Sequence, residues 1–431
     1  MKRIIFFASL VVLSIGIGHV VTAQNSTETA CAALIQASFD SFAESCVGKE
    51  ATTACYGYRN TSVTFADDIT DAPDFAIAGD TIDLAQVQTI STSAFDLENE
   101  NWGLAALNVQ ANVPLAYTSS EPGLSVLMFG DVTLENQVSA DQAFLPNEGV
   151  TATALLAANV RSGPSTDSPV LVSLGIGTEV TADALTSDNS WLRVTTADNQ
   201  VGWVSTQLMG APNGGYSELP AYDTTSRTPM QSFTLKTGTA MADCNSGALE
   251  SIAVPPLLVI QGPNNLTTLV EVNGEEIAIS STIALRILDD NTIQLITLSG
   301  DARVGGVVVP AGFTANAPLN EDGTAIEGLW SLLRPINAEE RAFLTTLQGL
   351  DPDLYHFYVF ELPSDADLQA YLQAISGSGN VAATPVPPRS DIISGPIVPV
   401  SNGGATPELV LASDTPAPTF IPGPSPMPPT P

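Results

Sequence analysis

The chain opens on Lys2-Arg3, an apolar run from Ile4 to Gly18, and then Val21-Thr22-Ala23. A charged start, an apolar stretch of this length and small residues at the cleavage positions form the pattern of a secretory signal, so residues 1–23 are expected to be removed after Ala23. A retained N-terminal anchor is the alternative, disfavoured because the run falls short of the roughly 20 residues that span a bilayer. In CAALIQASFDSFAESC the apolar residues Ala32, Leu34, Ile35, Phe39 and Phe42 return at helical intervals, which predicts a helix. Beyond it the period shortens. DTIDL, WGLAALNVQANV and LSVLMFGDVTL combine alternation, branched side chains and Gly/Pro/Asn/Asp breaks, the signature of strands. Residues 24–150 are therefore expected to form a helix-started, β-rich N-terminal domain.

From 155 to 209 the apolar positions become short and closely spaced, with Val160, Leu174, Val180, Val194 and Val204 suited to the inside of a small barrel and turns at Gly163-Pro164 and Gly175/Gly177. The order Asn159-Val160-Arg161-Ser162-Gly163-Pro164, Pro169-Val170, Leu174, Gly175, Gly177, Val180, Trp191-Leu192-Arg193-Val194 and Gly202-Trp203-Val204 resembles the bacterial SH3 domain over nearly its whole length. That resemblance implies a small β-barrel interaction module, in bacteria often directed at peptidoglycan or at protein partners. Trp191 and Trp203 are candidate binding residues because an aromatic face suits sugar or peptide recognition; the alternative is that both are core. Arg161 is a third candidate, with the bracing of a turn as its alternative. The hairpin loops around Ser187 and Asp198 are expected contact rims.

Residues 210–231, GAPNGGYSELPAYDTTSRTPMQ, are rich in Gly, Pro, Ser and Thr and are expected to be a linker. Strands return in LLVIQG, TTLVEVNG, IALRIL, TIQLITLSG and ARVGGVVVPAG. Within 257–318, Leu298, Gly300, Ala302, Val304 and the Pro310-Ala311-Gly312 turn resemble a FecR-like β domain, which implies a β scaffold. Family members signal from behind a membrane helix, and no such helix stands before this segment, so only the scaffold carries over. Asn337 ahead of Glu339 and Glu340, and Ser364 with Asp367 three residues on, are helix N-caps. They place helices at the end of a 232–376 domain, with LYHFYVFEL between them as a strand. In the 377–431 tail, 14 of the 31 prolines fall in the last 47 residues, so it is expected to be extended and disordered. The fold class expected is mainly β and multi-domain: a small SH3-like barrel between two β-rich domains, with a few helices.

Composition narrows the function. There are 13 Lys and Arg against 46 Asp and Glu, a formal charge of −33 at 14% charged residues. The imbalance is a shortage of bases, which excludes nucleic-acid binding, since phosphate contacts need a Lys/Arg patch. Loss of residues 1–23 would remove Lys2, Arg3 and His19, leaving −35 and His356 as the single histidine. Cys31, Cys46, Cys55 and Cys244 are an even set in an exported chain, expected to form disulfides. Full pairing would tie the N-terminal region to Cys244; one local bridge with two free thiols is the alternative. No C-x-x-C pair offers a zinc site. The acidic pairs Asp67-Asp68, Asp289-Asp290 and Glu321-Asp322 lack the Ca2+ loop spacing, and no metal or cofactor is expected.

Catalytic templates fail. Ser187-Asp188-Asn189 and Lys236-Thr237-Gly238 reproduce two signatures of serine β-lactamases, but the third, Ser-x-x-Lys, is missing because Cys46 and Phe233 stand three residues before the remaining lysines. There is no G-x-S-x-G, no phosphate loop and no H-E-x-x-H. The sequence favours a secreted, non-enzymatic binding protein of the cell envelope or extracellular space, contacting peptidoglycan or a protein partner, with no integral membrane segment after signal cleavage. A cell-wall hydrolase targeted by the SH3-like module, and a structural outer-layer component, are the other two readings.

Overall fold

The computed structural model describes residues 18–46, 49–67, 69–117, 123–211, 215–223, 225–243, 253–263, 266–350 and 362–377. Before the barrel come α1 (Gly18–Cys46), β1 (Thr53–Tyr58), β2 (Thr61–Phe65), β3 (Thr81–Asp83), β4 (Val87–Thr92), β5 (Leu104–Val109), β6 (Leu124–Phe129) and β7 (Val132–Asn136). The barrel region holds β8 (Val150–Ala154), β9 (Ala158–Arg161), β10 (Val170–Leu174), β11 (Glu179–Leu185), β12 (Trp191–Thr195), β13 (Val201–Ser205) and β14 (Met209–Gly210). After it follow β15 (Ser232–Thr237), β16 (Ala242–Asp243), β17 (Ala253–Val254), β18 (Leu257–Gln261), β19 (Thr268–Val272), β20 (Glu275–Ile279), β21 (Thr282–Ile287) and β22 (Thr292–Ser299). The described part closes with β23 (Asp301–Val304), β24 (Val307–Pro310), β25 (Phe313–Pro318), β26 (Arg334–Pro335), α2 (Ala338–Leu350) and α3 (Asp365–Gly377). The molecule is mainly β, with three large sheets and three helices among the described residues. No described helix is long and apolar enough to cross a membrane.

The two outer regions do not fold side by side. One sheet runs β26-β25-β22-β21-β18-β6-β5-β1-β3 and another β2-β4-β7-β15-β19-β20-β23-β24, so each draws strands from 24–150 and from 232–376. The joints are β6 against β18, with Leu127 opposite Val259, and β7 against β15, with Leu134 opposite Leu235. The separation expected at the barrel is thus overridden by strand pairing across more than 100 residues. Its reason is burial: every residue of β18 is buried, so the backbone N–H and C=O groups on both of its edges need strand partners in place of water. Both sheets share one core, which also takes in Ile35, Phe39 and Phe42 of α1. Phe39 meets Trp102 and Phe129 edge to face.

A disulfide joins Cys46, at the end of α1, to Cys55 in β1. Cys31 is also disulfide-bonded, and Cys244 lies outside the described residues, as do residues 1–17, His356 with most of the LYHFYVFEL strand, and the Pro-rich tail. The helix α1 passes through the expected cleavage point after Ala23. Both expected N-caps form reciprocal boxes. Glu340 N–H donates to Asn337 Oδ1 while Asn337 N–H donates to Glu340 Oε2, each at 2.8 Å, and Ser364 and Asp367 exchange the equivalent bonds at 3.2 Å. Within residues 257–318, Leu298, Ala302 and Val304 are buried. Ala311 N–H closes the Pro310-Ala311-Gly312 turn onto the Gly300 carbonyl.

Candidate functional site

The third sheet, β10-β9-β13-β12-β11-β8-β14, is the small barrel. Val160, Leu174, Val180, Leu192, Val194 and Val204 fill its inside. The turn at Gly177 takes φ +81°, a conformation natural to glycine. At Gly202 a Cβ would stand 2.6 Å from the Arg161 carbonyl oxygen, so β9 can lie close only because that side chain is absent.

Alternation decides what the other side of the sheet carries. With Leu192, Val194 and Val204 inward, Trp191, Arg193 and Trp203 face outward, and Arg193 sits opposite Trp203 in the β12–β13 register. The β11–β12 register shifts between Ala182 and Ala184, and Asp183 is the extra residue of this bulge, a device that re-aims a side chain. Its carboxylate accepts two bonds from Arg193, from Nε at 2.9 Å and from Nη2 at 2.6 Å. Side-chain exposure of the pair is 0% and 1%.

An outward ion pair is buried because other segments cover it. Tyr222 lies with its ring 4.3 Å from the Arg193 guanidinium carbon, and Phe144 is 5.3 Å away. The two rings meet edge to face at 4.8 Å, and Tyr222 lies over Trp203 at 6.0 Å with a 35° tilt. Trp203, Ala184, Phe144 and Tyr222 form an aromatic cluster distinct from the barrel core, with Trp191 at its half-buried border. Burial pushes the Arg193 pKa down, but the Asp183 charge and its hydrogen bonds prevail and hold it above the ordinary value. Burial pushes the Tyr222 hydroxyl up, so a neutral phenol covers a permanent cation. Among the described residues Trp203 Nε1 and Arg193 Nη1 have no hydrogen-bond partner.

The covering segment is the expected linker. Leu219, Tyr222, Thr228, Met230 and Gln231 are buried, because apolar residues at intervals among the Gly, Pro and Thr find the barrel and the sandwich. Tyr222 N–H donates to the Leu185 carbonyl at 2.8 Å and Leu185 N–H to the Pro220 carbonyl at 3.0 Å. Arg227 then pairs with Glu276 at 2.8 Å and Glu271 at 3.8 Å, and its carbonyl accepts from Phe144 N–H. The far end of the barrel meets the sandwich where Val201 packs with Val113, Tyr117 and Leu266.

The expected site residues take three different places. Trp203 is fully buried with its ring closed by Tyr222, so it offers no open platform. Trp191 keeps part of its surface. Arg161 braces a turn, donating from Nη1 to the Ser168 carbonyl at 2.8 Å. The rim hairpin is ordered by Asp188, whose carboxylate accepts from Ser190 and Thr186 and is lowered to about 2 by those bonds. Asp183, Phe144 and Tyr222 were not singled out in the sequence; the outward register of β12 was the available signal.

Residues 156–209 match the family model of the bacterial SH3 domain, SH3_3. The match covers β9 to β13 of the barrel and neither β8 nor residues 257–318. No curated protein matches the chain. Among solved structures the chain is similar to NlpC2 from Trichomonas vaginalis, at 10% identity and a TM-score of 0.15, over 41% of this chain and 52% of that one. It thus spans about half the length of that protein.

Proposed function

We propose that the chain is a secreted, non-enzymatic binding protein of the cell envelope or extracellular space, whose SH3-like barrel contacts peptidoglycan or a protein partner. The observation that carries this is the bacterial SH3 match over 156–209, on a barrel with a core of its own. The signal-like N-terminus and the Cys46–Cys55 disulfide support an oxidising compartment. The sequence supplies no nucleophile motif and only His356 as a mature histidine, which supports binding rather than catalysis. Residues 257–318 serve in this reading as a FecR-like scaffold. The test is co-sedimentation with purified peptidoglycan. The full chain is expected in the pellet and a Trp191→Ala variant is expected to be retained several-fold less. A full chain that stays in the supernatant removes the wall as ligand, and soluble fragments released from the wall would replace the reading with a hydrolase.

A further inference from the structure

The outward face of the barrel is occupied by the chain itself. The sheet explains where. β8 pairs β11 only from Glu179 to Ala182, so the last residues of β11 have an open edge on that side. Leu185 uses this edge to bind residues 220–222 through both of its backbone groups, with Ala221 as a parallel bridge partner. This is strand addition on a scale of one rung, the mode by which sheet edges take extended peptides. The aromatic side chain next along, Tyr222, enters the pocket made by Arg193, Trp203 and Phe144.

The occupant does not satisfy the face completely. Among the described residues Trp203 Nε1 and Arg193 Nη1 have no acceptor in hydrogen-bonding geometry, and buried donors without partners are rare and costly. The barrel core lies on the other side of the sheet and is filled mostly by a separate set of residues, with Leu219 and the partly buried Tyr216 as the contributions of the covering segment. Removal of Tyr222 would therefore uncover a formed surface.

We propose that this face is a peptide-binding site for extended segments presenting an aromatic side chain, and that Tyr216–Asp223 is its intrachain ligand, which an external segment must displace. The proposal rests on the reading of the barrel as a binding module and makes its ligand class specific. An external segment that adds an acceptor for Trp203 Nε1 or Arg193 Nη1 gains over the internal one.

The test uses the full chain and a labelled peptide of residues 216–223. A Tyr222→Ala chain is expected to bind the peptide at least about tenfold more tightly than the wild-type chain, whose own segment competes, and the same substitution in the peptide is expected to abolish the gain. Equal binding by the wild-type and variant chains, or none by a variant that circular dichroism shows to be folded, overturns the proposal. Hydrogen exchange on the wild-type chain covers the case of a variant that fails to fold. The Leu185 and Tyr222 amides are expected to exchange together and at least about tenfold faster than the amides bonded between β12 and β13. Exchange at one common rate overturns the proposal. Peptide binding without peptidoglycan binding would remove only the wall ligand, whereas wall binding without peptide binding would place the wall contact elsewhere on the barrel.

Discussion

Among the described residues Asp183 and Arg193 form an ion pair with each other alone, on a face sealed by Tyr222, Phe144 and Trp203. Breaking one side of such a pair leaves a charge stranded away from water, whereas replacing both by apolar groups removes two desolvation costs together. Asp183→Asn is expected to cost about 3 to 5 kcal/mol, and Asp183→Leu with Arg193→Met to recover most of it. Urea titrations of the two variants beside the wild type check this, and an Asp183→Asn midpoint equal to wild type would refute it. Glu340 makes a second case, with an acid-pH signature. Burial pushes its pKa up, but the Arg334 hydrogen bonds, the Asn337 N–H, the Arg334 charge and Gln294 outweigh burial and hold it below the ordinary glutamate value. A depressed folded-state pKa gives stability that is complete above the unfolded value and is lost as pH falls through the folded one. Glu340→Gln is therefore expected to cost about 1 to 3 kcal/mol at neutral pH and to flatten the loss of stability on acidification. Denaturation midpoints measured across the acid range test both parts.

At the level of elements, the short loop between α1 and β1 is closed covalently by Cys46–Cys55. For a loop of this size the chain-entropy model gives about 2 to 3 kcal/mol, so a Cys46→Ser, Cys55→Ser chain is expected to unfold at lower temperature. The exposure of Phe39 and Phe42 should accompany the early part of that transition, readable as Trp102 fluorescence. An unchanged melting curve would show that packing of α1 alone suffices. The elements themselves were legible wherever the signal was local. The boxes at Asn337 and Ser364 announce α2 and α3, and the alternation in WLRVT and VGWVS places Leu192 and Val204 inward. Tyr222 was not legible, because Gly, Pro and Thr around it report a turn-rich backbone and say nothing of the surface on which that backbone lies. The same limit applied to Trp203: alternation sends it outward, and only the covering segment makes outward mean buried.

For the molecule as a whole, the register between β7 and β15 is decisive. Asn136 stands opposite Phe233, so the 137–232 stretch leaves and re-enters one sheet at adjacent points, and the barrel is an insertion into a hairpin. Replacing residues 139–229 by a short Asn-Gly-containing turn is expected to leave the two-sheet body folded, with its strand signal and core fluorescence intact. Conversely, a 139–228 fragment should melt well above a 150–210 fragment, which lacks Phe144 and Tyr222 and would bare Trp203 and Arg193. Equal melting of the two would deny the covering segments any stabilising role. This nesting was illegible in the sequence, since local patterns define strands but not which strands, a hundred residues apart, lie side by side. It also has a mechanical side. A pull applied to the barrel along the strand direction would reach the body through β7 and β15 together, so that their outer neighbours β4 and β19 would resist by sliding rather than by peeling one bond at a time. Hydrogen bonds loaded in parallel share force, so a β7–β15 joint pulled in this direction would hold as a unit.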